Sequence, residues 1–125
     1  MVRVIVAGSR TFSNFSLLEK ELMLFFKEHQ LHRSDVEIIS GTANGADKLG
    51  EKFAEKYGLA CTKFPADWDK NGKSAGYIRN EEMAKYAGEN SDGVLFAFWN
   101  NISSGTKNMI NIARKYKLII NVISF

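Results

Sequence analysis

Apolar positions follow two alternating rhythms along this chain. Val2 to Ala7, Val36 to Ser40 and Lys117 to Ser124 are short β-branched runs, Gly93 to Trp99 is apolar and aromatic, and Leu59 to Phe64 is a weaker fifth. Each lies near turn residues and reads as a buried strand. Between these runs the spacing becomes helical. Leu18, Leu22, Phe25, Phe26 and His29 form one stripe, entered through Ser16-Leu-Leu-Glu19, which has the form of a capping box. Ala46, Leu49, Gly50, Phe53, Ala54 and Tyr57 form a second stripe that stops at Gly58. A third helix is predicted from about Ser74 to Ala87. A fourth is predicted from about Ser104 to Tyr116, with Thr106, Met109, Ile110, Ala113 and Tyr116 facing inward.

The strict alternation of strand and helix predicts an α/β fold with a doubly wound parallel five-stranded sheet. Parallel neighbours need crossovers, and right-handed crossovers lay helices on both faces. Ligands of such sheets bind beyond the carboxyl ends of the strands, where strand order reverses. The expected order is 3-2-1-4-5, which makes the loops after strands 2, 1 and 4 one continuous rim; the alternative order 2-1-3-4-5 would separate them.

Composition narrows the class. A chain of 125 residues, 45% hydrophobic and 25% charged, fits one globular domain over 1–125 and excludes disorder. The one cysteine cannot form an internal disulfide, and Cys61 reads as a packing residue. The N-terminal apolar run is too short for a signal peptide and no run approaches membrane length, so the expected location is cytoplasmic, with no membrane partner. A net charge of +3 is modest, and Lys48, Glu51, Lys52, Glu55 and Lys56 interleave their signs, which argues against nucleic acid as the partner. A homo-oligomer is left open.

Three strand ends carry glycine beside hydroxyl or amide residues: Gly8-Ser9-Arg10, Ser40-Gly41-Thr42-Ala43-Asn44-Gly45-Ala46-Asp47, and Asn100-Asn-Ile-Ser-Ser104-Gly105-Thr106. Gly41 and Gly45 would let backbone approach a ligand at the start of the second helix, where outward amides favour phosphate. Ser104 and Thr106 offer the same device at the fourth helix, or simply a cap. Neither loop matches the dinucleotide or Walker patterns, so nicotinamide redox chemistry and P-loop hydrolysis lose weight and no cofactor is expected. Arg10 could grip phosphate with two donors. Asp47 could favour the helix dipole or accept from a ribose or base.

On the third helix Gly76, Arg79, Asn80, Met83 and Ala87 share a face that is polar at its near end, and a buried Arg and Asn need partners. Trp68, in the long Pro65–Lys73 connection, could stack on a base as part of a lid or plug its own loop. Asp67 and Asp69 find no histidine or second carboxylate pair to complete a metal site, so no metal is predicted. His29 reads as a helix-end residue and Trp99 as wall.

Val4 to Phe12, Ser40 to Lys48, Phe64 to Trp68, Gly72 to Met83 and Ser104 to Met109 resemble, in order, the motifs of the YspA-like branch of the SLOG superfamily. That superfamily joins the Smf/DprA proteins to the "Lonely Guy" phosphoribohydrolases. The resemblance implies a Rossmann-like sheet with a nucleotide-derived small molecule at its carboxyl edge, held by Gly8, Ser9, Arg10, Gly41, Gly45, Asp47, Arg79, Asn80, Gly105 and Thr106, in a sensor, sequestering protein or processing enzyme. The phosphoribohydrolases place glutamate three residues after the threonine of their glycine loop, where this chain has Met109. An N-glycosidase would therefore need Glu81, Glu82, Asp47 or Asp67 instead.

Overall fold

The computed structural model describes residues 1–89 and 92–125. Its elements are β1 (Val2–Gly8), α1 (Phe15–Glu28), β2 (Val36–Ser40), α2 (Ala46–Tyr57), β3 (Ala60–Lys63), α3 (Trp68–Asn71), α4 (Ala75–Gly88), β4 (Gly93–Trp99), α5 (Ser104–Lys115) and β5 (Ile119–Ser124). The five strands form an all-parallel sheet of order β3-β2-β1-β4-β5. β1 therefore lies between β2 and β4, and the alternative order with strand 3 beside strand 1 is excluded.

Successive strand residues point to opposite faces, so each strand feeds two cores. Val4, Val6, Ile38, Val94, Phe96 and Phe98 pack under α1 and α2, while Ile5, Ala7, Ile39, Leu95 and Ala97 pack under α4 and α5. The central strands are buried on both sides, which is why they read as unbroken apolar runs rather than alternating ones. α2 comes unusually close to β1. A Cβ placed at Gly50 would lie 2.7 Å from Val6 Cβ, so glycine sets the helix-to-sheet distance there.

Four boundaries differ from the sequence reading. Asn14, not Ser16, caps α1, its Oδ1 accepting from Leu17 N at 3.0 Å, and Glu19 binds Lys56 and Tyr57 instead of closing a capping box. Asparagine caps as well as serine does, and a position two residues earlier lets Phe15 and Leu17 reach the core. The long connection before α4 holds a helical turn of its own, α3, capped by Asp67 through Lys70 N. Lys117 has φ +59 and belongs to the turn before β5. Ser103 rather than Ser104 caps α5. His29 ends α1 with its ring stacked on Phe25. No described helix is long and apolar enough to cross a membrane.

Gly50→Ala should destabilise the fold despite alanine's better helix propensity, because the added methyl meets a rigid β-branched side chain. The expected loss is about 1–3 kcal/mol, read as a lower urea midpoint with unchanged slope.

Candidate functional site

A cleft of about 450 Å³ opens at the carboxyl edge of the sheet, bounded by the loops after β1 and β4, the start of α2, and the first turns of α4 and α5. Gly8, Ser9, Arg10, Asp47, Arg79, Asn80, Ser104, Gly105 and Thr106 all line it. Gly41, Thr42 and Gly45 do not.

The loop after β1 is held by close backbone packing. A Cβ at Gly8 would collide with the Phe98 carbonyl and reach Ala46 Cβ at 2.9 Å, so β1 can end here only in glycine. Ser9 is buried, and its polar atoms are occupied. Its N–H donates to Phe98 O (2.9 Å), its carbonyl accepts from Phe12 N (3.1 Å) and Ala46 N (3.4 Å), and its Oγ accepts from Asn100 N (3.1 Å). Arg10 and Thr11 follow on the exposed rim.

The loop after β2 satisfies itself. Ser40 Oγ donates to Glu51 Oε2 at 2.6 Å and accepts from Thr42 N at 3.0 Å, while Thr42 takes a left-handed φ of +64. Asp47 Oδ2 accepts from Ala43 N at 3.2 Å. Gly45, with φ +85, lies against the neighbouring loop, and a Cβ there would collide with the Ser9 carbonyl. Gly41 leaves room for two side chains, because a Cβ on it would be 2.8 Å from both Arg79 Nη1 and Asp47 Oδ2. These glycines make space for the protein's own atoms, behind the cleft wall.

α4 presents Gly76, Arg79, Asn80 and Met83 to the cleft. Arg79 Nη1 donates to Gly41 O at 2.5 Å and Nε to Asn80 Oδ1 at 3.1 Å; Asn80 Nδ2 donates to Asn108 Oδ1 at 2.9 Å and more loosely to Gly105 O. This helix thus ties the loop after β2 to the start of α5. At the start of α5, Ser103 Oγ accepts from Thr106 N and from the Thr106 hydroxyl, which leaves the Thr106 side chain engaged and the amides of Ser104 and Gly105 without a partner among the described residues. A Cβ on Gly105 would meet open space.

Trp68 and Tyr77 stand at the mouth, 52% and 50% exposed, with Lys73 between their elements. The Trp68 ring edge lies 3.6 Å from where a Gly76 Cβ would be, so the indole rests over α4 rather than in the core. Trp99 donates from Nε1 to Ser103 O and supports the loop from behind. Met109 is buried in the cleft floor. Of the four carboxylates considered for acid–base work, Asp47 alone lines the cleft: Glu81 pairs with Lys115, Asp67 caps α3, and Glu82 is exposed on α4.

Burial dominates the electrostatics. It pushes the Asp47 carboxyl up to about 6, against the Ala43 amide and the positive charges of Arg79 and Arg10, which favour ionisation. Burial also lowers the Arg79 guanidinium, opposed by Asp47 and reinforced by Arg10. Burial likewise raises the Cys61 thiol, whose side chain packs against the α2-side core.

A profile of the YspA, cpYpsA-related SLOG family matches residues 2–71, and this stretch holds the first two strand-end loops. The chain belongs to that family. It is 30% identical over 122 residues to the Gene 61 protein of Mycobacterium phage D29, the match covering 92% of this chain and 90% of the phage protein. Its fold is similar to that of DNA processing protein A (DprA) from Streptococcus pneumoniae, with a TM-score of 0.74 at 17% identity. That superposition covers 98% of this chain and 50% of DprA, so the chain spans half the length of that structure.

Sequence reasoning left Thr11, Ala43, Lys73, Tyr77, Asn100 and Ser103 out of the site. For Ser103 the signal was the three-residue spacing to Thr106 that an N-cap requires.

The raised Asp47 value fixes a pH dependence. Between 3.8 and about 6 the native carboxyl holds a proton that the unfolded chain has released, so stability contributed by this group falls as pH rises through that window and stays low above it. Asp47→Asn should therefore match the wild type near the bottom of the window. Above its top the variant should exceed wild type by about 2–3 kcal/mol in urea denaturation. A difference that does not grow with pH would contradict the buried-carboxylate assignment.

Proposed function

We propose that the cleft binds a nucleotide-derived small molecule, a nucleoside phosphate or nucleotide sugar, with its phosphate at the start of α5. The observation that carries this reading is the contrast between the two helix ends facing the cleft. α2 carries a carboxylate of its own, Asp47, in its first turn, and its first amide already donates to Ser9 O. α5 has no acidic residue in its first turn and presents the Ser104 and Gly105 amides beside an exposed glycine. Arg10, exposed among the residues that line the cleft, supplies a guanidinium that forms no ion pair with a described residue. An anion at α5 therefore gains the helix dipole, two amides and a charged donor, while at α2 it would meet Asp47.

The remaining parts suit the rest of a nucleotide. Trp68 and Tyr77 offer aromatic faces to a base, and Asp47 can accept from sugar hydroxyls. Family membership supports a nucleotide-related role, and the expected setting is the cytoplasm. A second reading, hydrolysis of a nucleoside-monophosphate N-glycosidic bond, is favoured by one observation: a carboxylate held near neutrality lines the cleft, as an acid–base group must. Single-stranded DNA binding has less support, because the likeness to DprA is one of fold and the exposed charges of α2 alternate in sign.

Titration calorimetry with adenosine, AMP and ADP-ribose tests the phosphate reading. Charge-assisted hydrogen bonds contribute about 1.5–3 kcal/mol each, so AMP should bind at least about tenfold more tightly than adenosine. Arg10→Ala should remove most of that advantage and leave adenosine unchanged. Equal affinity for the two ligands, or salt-sensitive oligonucleotide binding that mononucleotides do not compete, would overturn it. Release of free base from AMP, lost in Asp47→Asn, would establish the hydrolytic reading.

A further inference from the structure

Asp47 carries an acceptor that the protein leaves unused. The residue is only 5% exposed. Its Oδ2 accepts from Ala43 N, whereas Oδ1 has no hydrogen-bond partner among the described residues and yet is not one of the atoms sealed away from solvent. Asp47 lines the cleft, so that oxygen opens into it. Arg79, close by at Gly41, does not satisfy it, because its Nη1 donates to Gly41 O and its Nε to Asn80 Oδ1. A buried acceptor that opens into a cleft calls for a donor on the guest.

The surroundings select which donor. Arg79 from α4 and Arg10 from the loop after β1 act on this carboxyl as positive charges, and Glu51 of α2 acts as a negative one. A cationic ligand group placed here would meet both guanidiniums, whereas an uncharged hydroxyl meets no such opposition. Position narrows the choice further. With a phosphate at the start of α5 and a base against the half-exposed Trp68 and Tyr77 at the mouth, the sugar that joins them is the part of a nucleotide left for the buried wall. On the strength of that reading, we infer that Asp47 accepts from both hydroxyls of a ribose cis-diol, so that the cleft selects ribonucleotides over 2′-deoxyribonucleotides.

The carboxylate has the capacity for this. An ionised carboxylate offers roughly four acceptor positions and the Ala43 amide fills one, which leaves room for two hydroxyls. Removing the 2′-hydroxyl takes away one charge-assisted hydrogen bond and sets a methylene against a buried charged oxygen. Both effects favour the ribonucleotide.

Calorimetric titration of AMP, GMP, CMP and UMP, each beside its 2′-deoxy counterpart, tests this without choosing a base. The tightest ribonucleotide should bind at least about tenfold more tightly than its counterpart when Asp47 is ionised. That ratio should shrink as pH falls below about 6, where the carboxyl takes up a proton and charge assistance is lost. Both members of a pair carry the same phosphate, so its own titration cancels. In Asp47→Asn the Ala43 amide holds the side-chain oxygen and turns Nδ2 toward the cleft, so the ratio should drop to about threefold or less at every pH. The deoxy ligand should bind this variant at least as tightly as it binds wild type, which shows that the cleft is intact. Equal ribo and deoxy affinities, a ratio that does not change with pH, or a ratio kept by Asp47→Asn would overturn the inference alone. Binding of none of the monophosphates would overturn the phosphate reading and this inference with it.

Discussion

Ser9 is the residue on which the cleft's geometry depends. Through one backbone N–H, one carbonyl and one hydroxyl it joins the end of β1 to the end of β4, to the loop after β4 and to the first turn of α2. Strands β1 and β4 are neighbours whose helices pass to opposite faces, so their ends diverge and leave the crevice typical of a switch in strand direction. Without cross-ties the loops there would carry unpaired backbone groups and move independently. Ser9 satisfies those groups while occupying almost no surface, and glycine is required at 8 because Phe98 O and Ala46 crowd it and at 45 because the Ser9 and Arg10 carbonyls do. The cleft floor is therefore tied together by hydrogen bonds, and the exposed residues Arg10, Thr11, Lys73, Ser104 and Gly105 stand on the rim.

This explains which features were legible in the sequence. The parallel sheet followed from the alternation of elements, and the order 3-2-1-4-5, expected over 2-1-3-4-5 because it gathers the loops after strands 1, 2 and 4 into one rim, is the one observed. The face of α4 was legible because its polar end interrupts an apolar stripe. A glycine's purpose was not. Gly41 and Gly45 look in sequence like residues that admit a ligand, yet they admit Arg79, Asp47 and the Ser9 carbonyl. The conformational need is the same in both cases, and only the identity of the neighbouring atom separates them. Caps were misplaced for a related reason. Asn14 and Ser16 are both good caps, and the choice between them is made by which start lets Phe15 and Leu17 reach the core. Tyr77 and Lys73 were missed because rim residues have no periodic signature.

Arg79 shows how structural and chemical duties can fall on one side chain. Its guanidinium lines the cleft, but two of its donors are already committed to Gly41 O and Asn80 Oδ1. It positions the wall and contributes charge, while leaving less hydrogen-bonding capacity for a guest than its place in the sequence suggests. Asn80 is spent more fully, bridging to α5 through Asn108. Together they make α4 a brace between the loop after β2 and the helix end proposed for phosphate, so that a change at Gly41 would be felt at α5.

The balance of charge in the cleft bears on where the proposed anion would sit. Asp47 and Arg79 both depart from their ordinary values in the direction of neutrality, which means that for each group the loss of water outweighs the attraction of the other. Such a pair does not cancel into an inert wall. An incoming phosphate would favour the charged guanidinium and further disfavour the ionised carboxylate, so it is attracted toward Arg79 and Arg10 and away from an ionised Asp47. Near neutral pH that repulsion acts on one side of the cleft only. Arg79 stands beside Asp47 at Gly41, so attraction and repulsion meet there, and the α5 end proposed for phosphate, with its free amides and no carboxylate in its first turn, is where an anion would meet attraction without that repulsion.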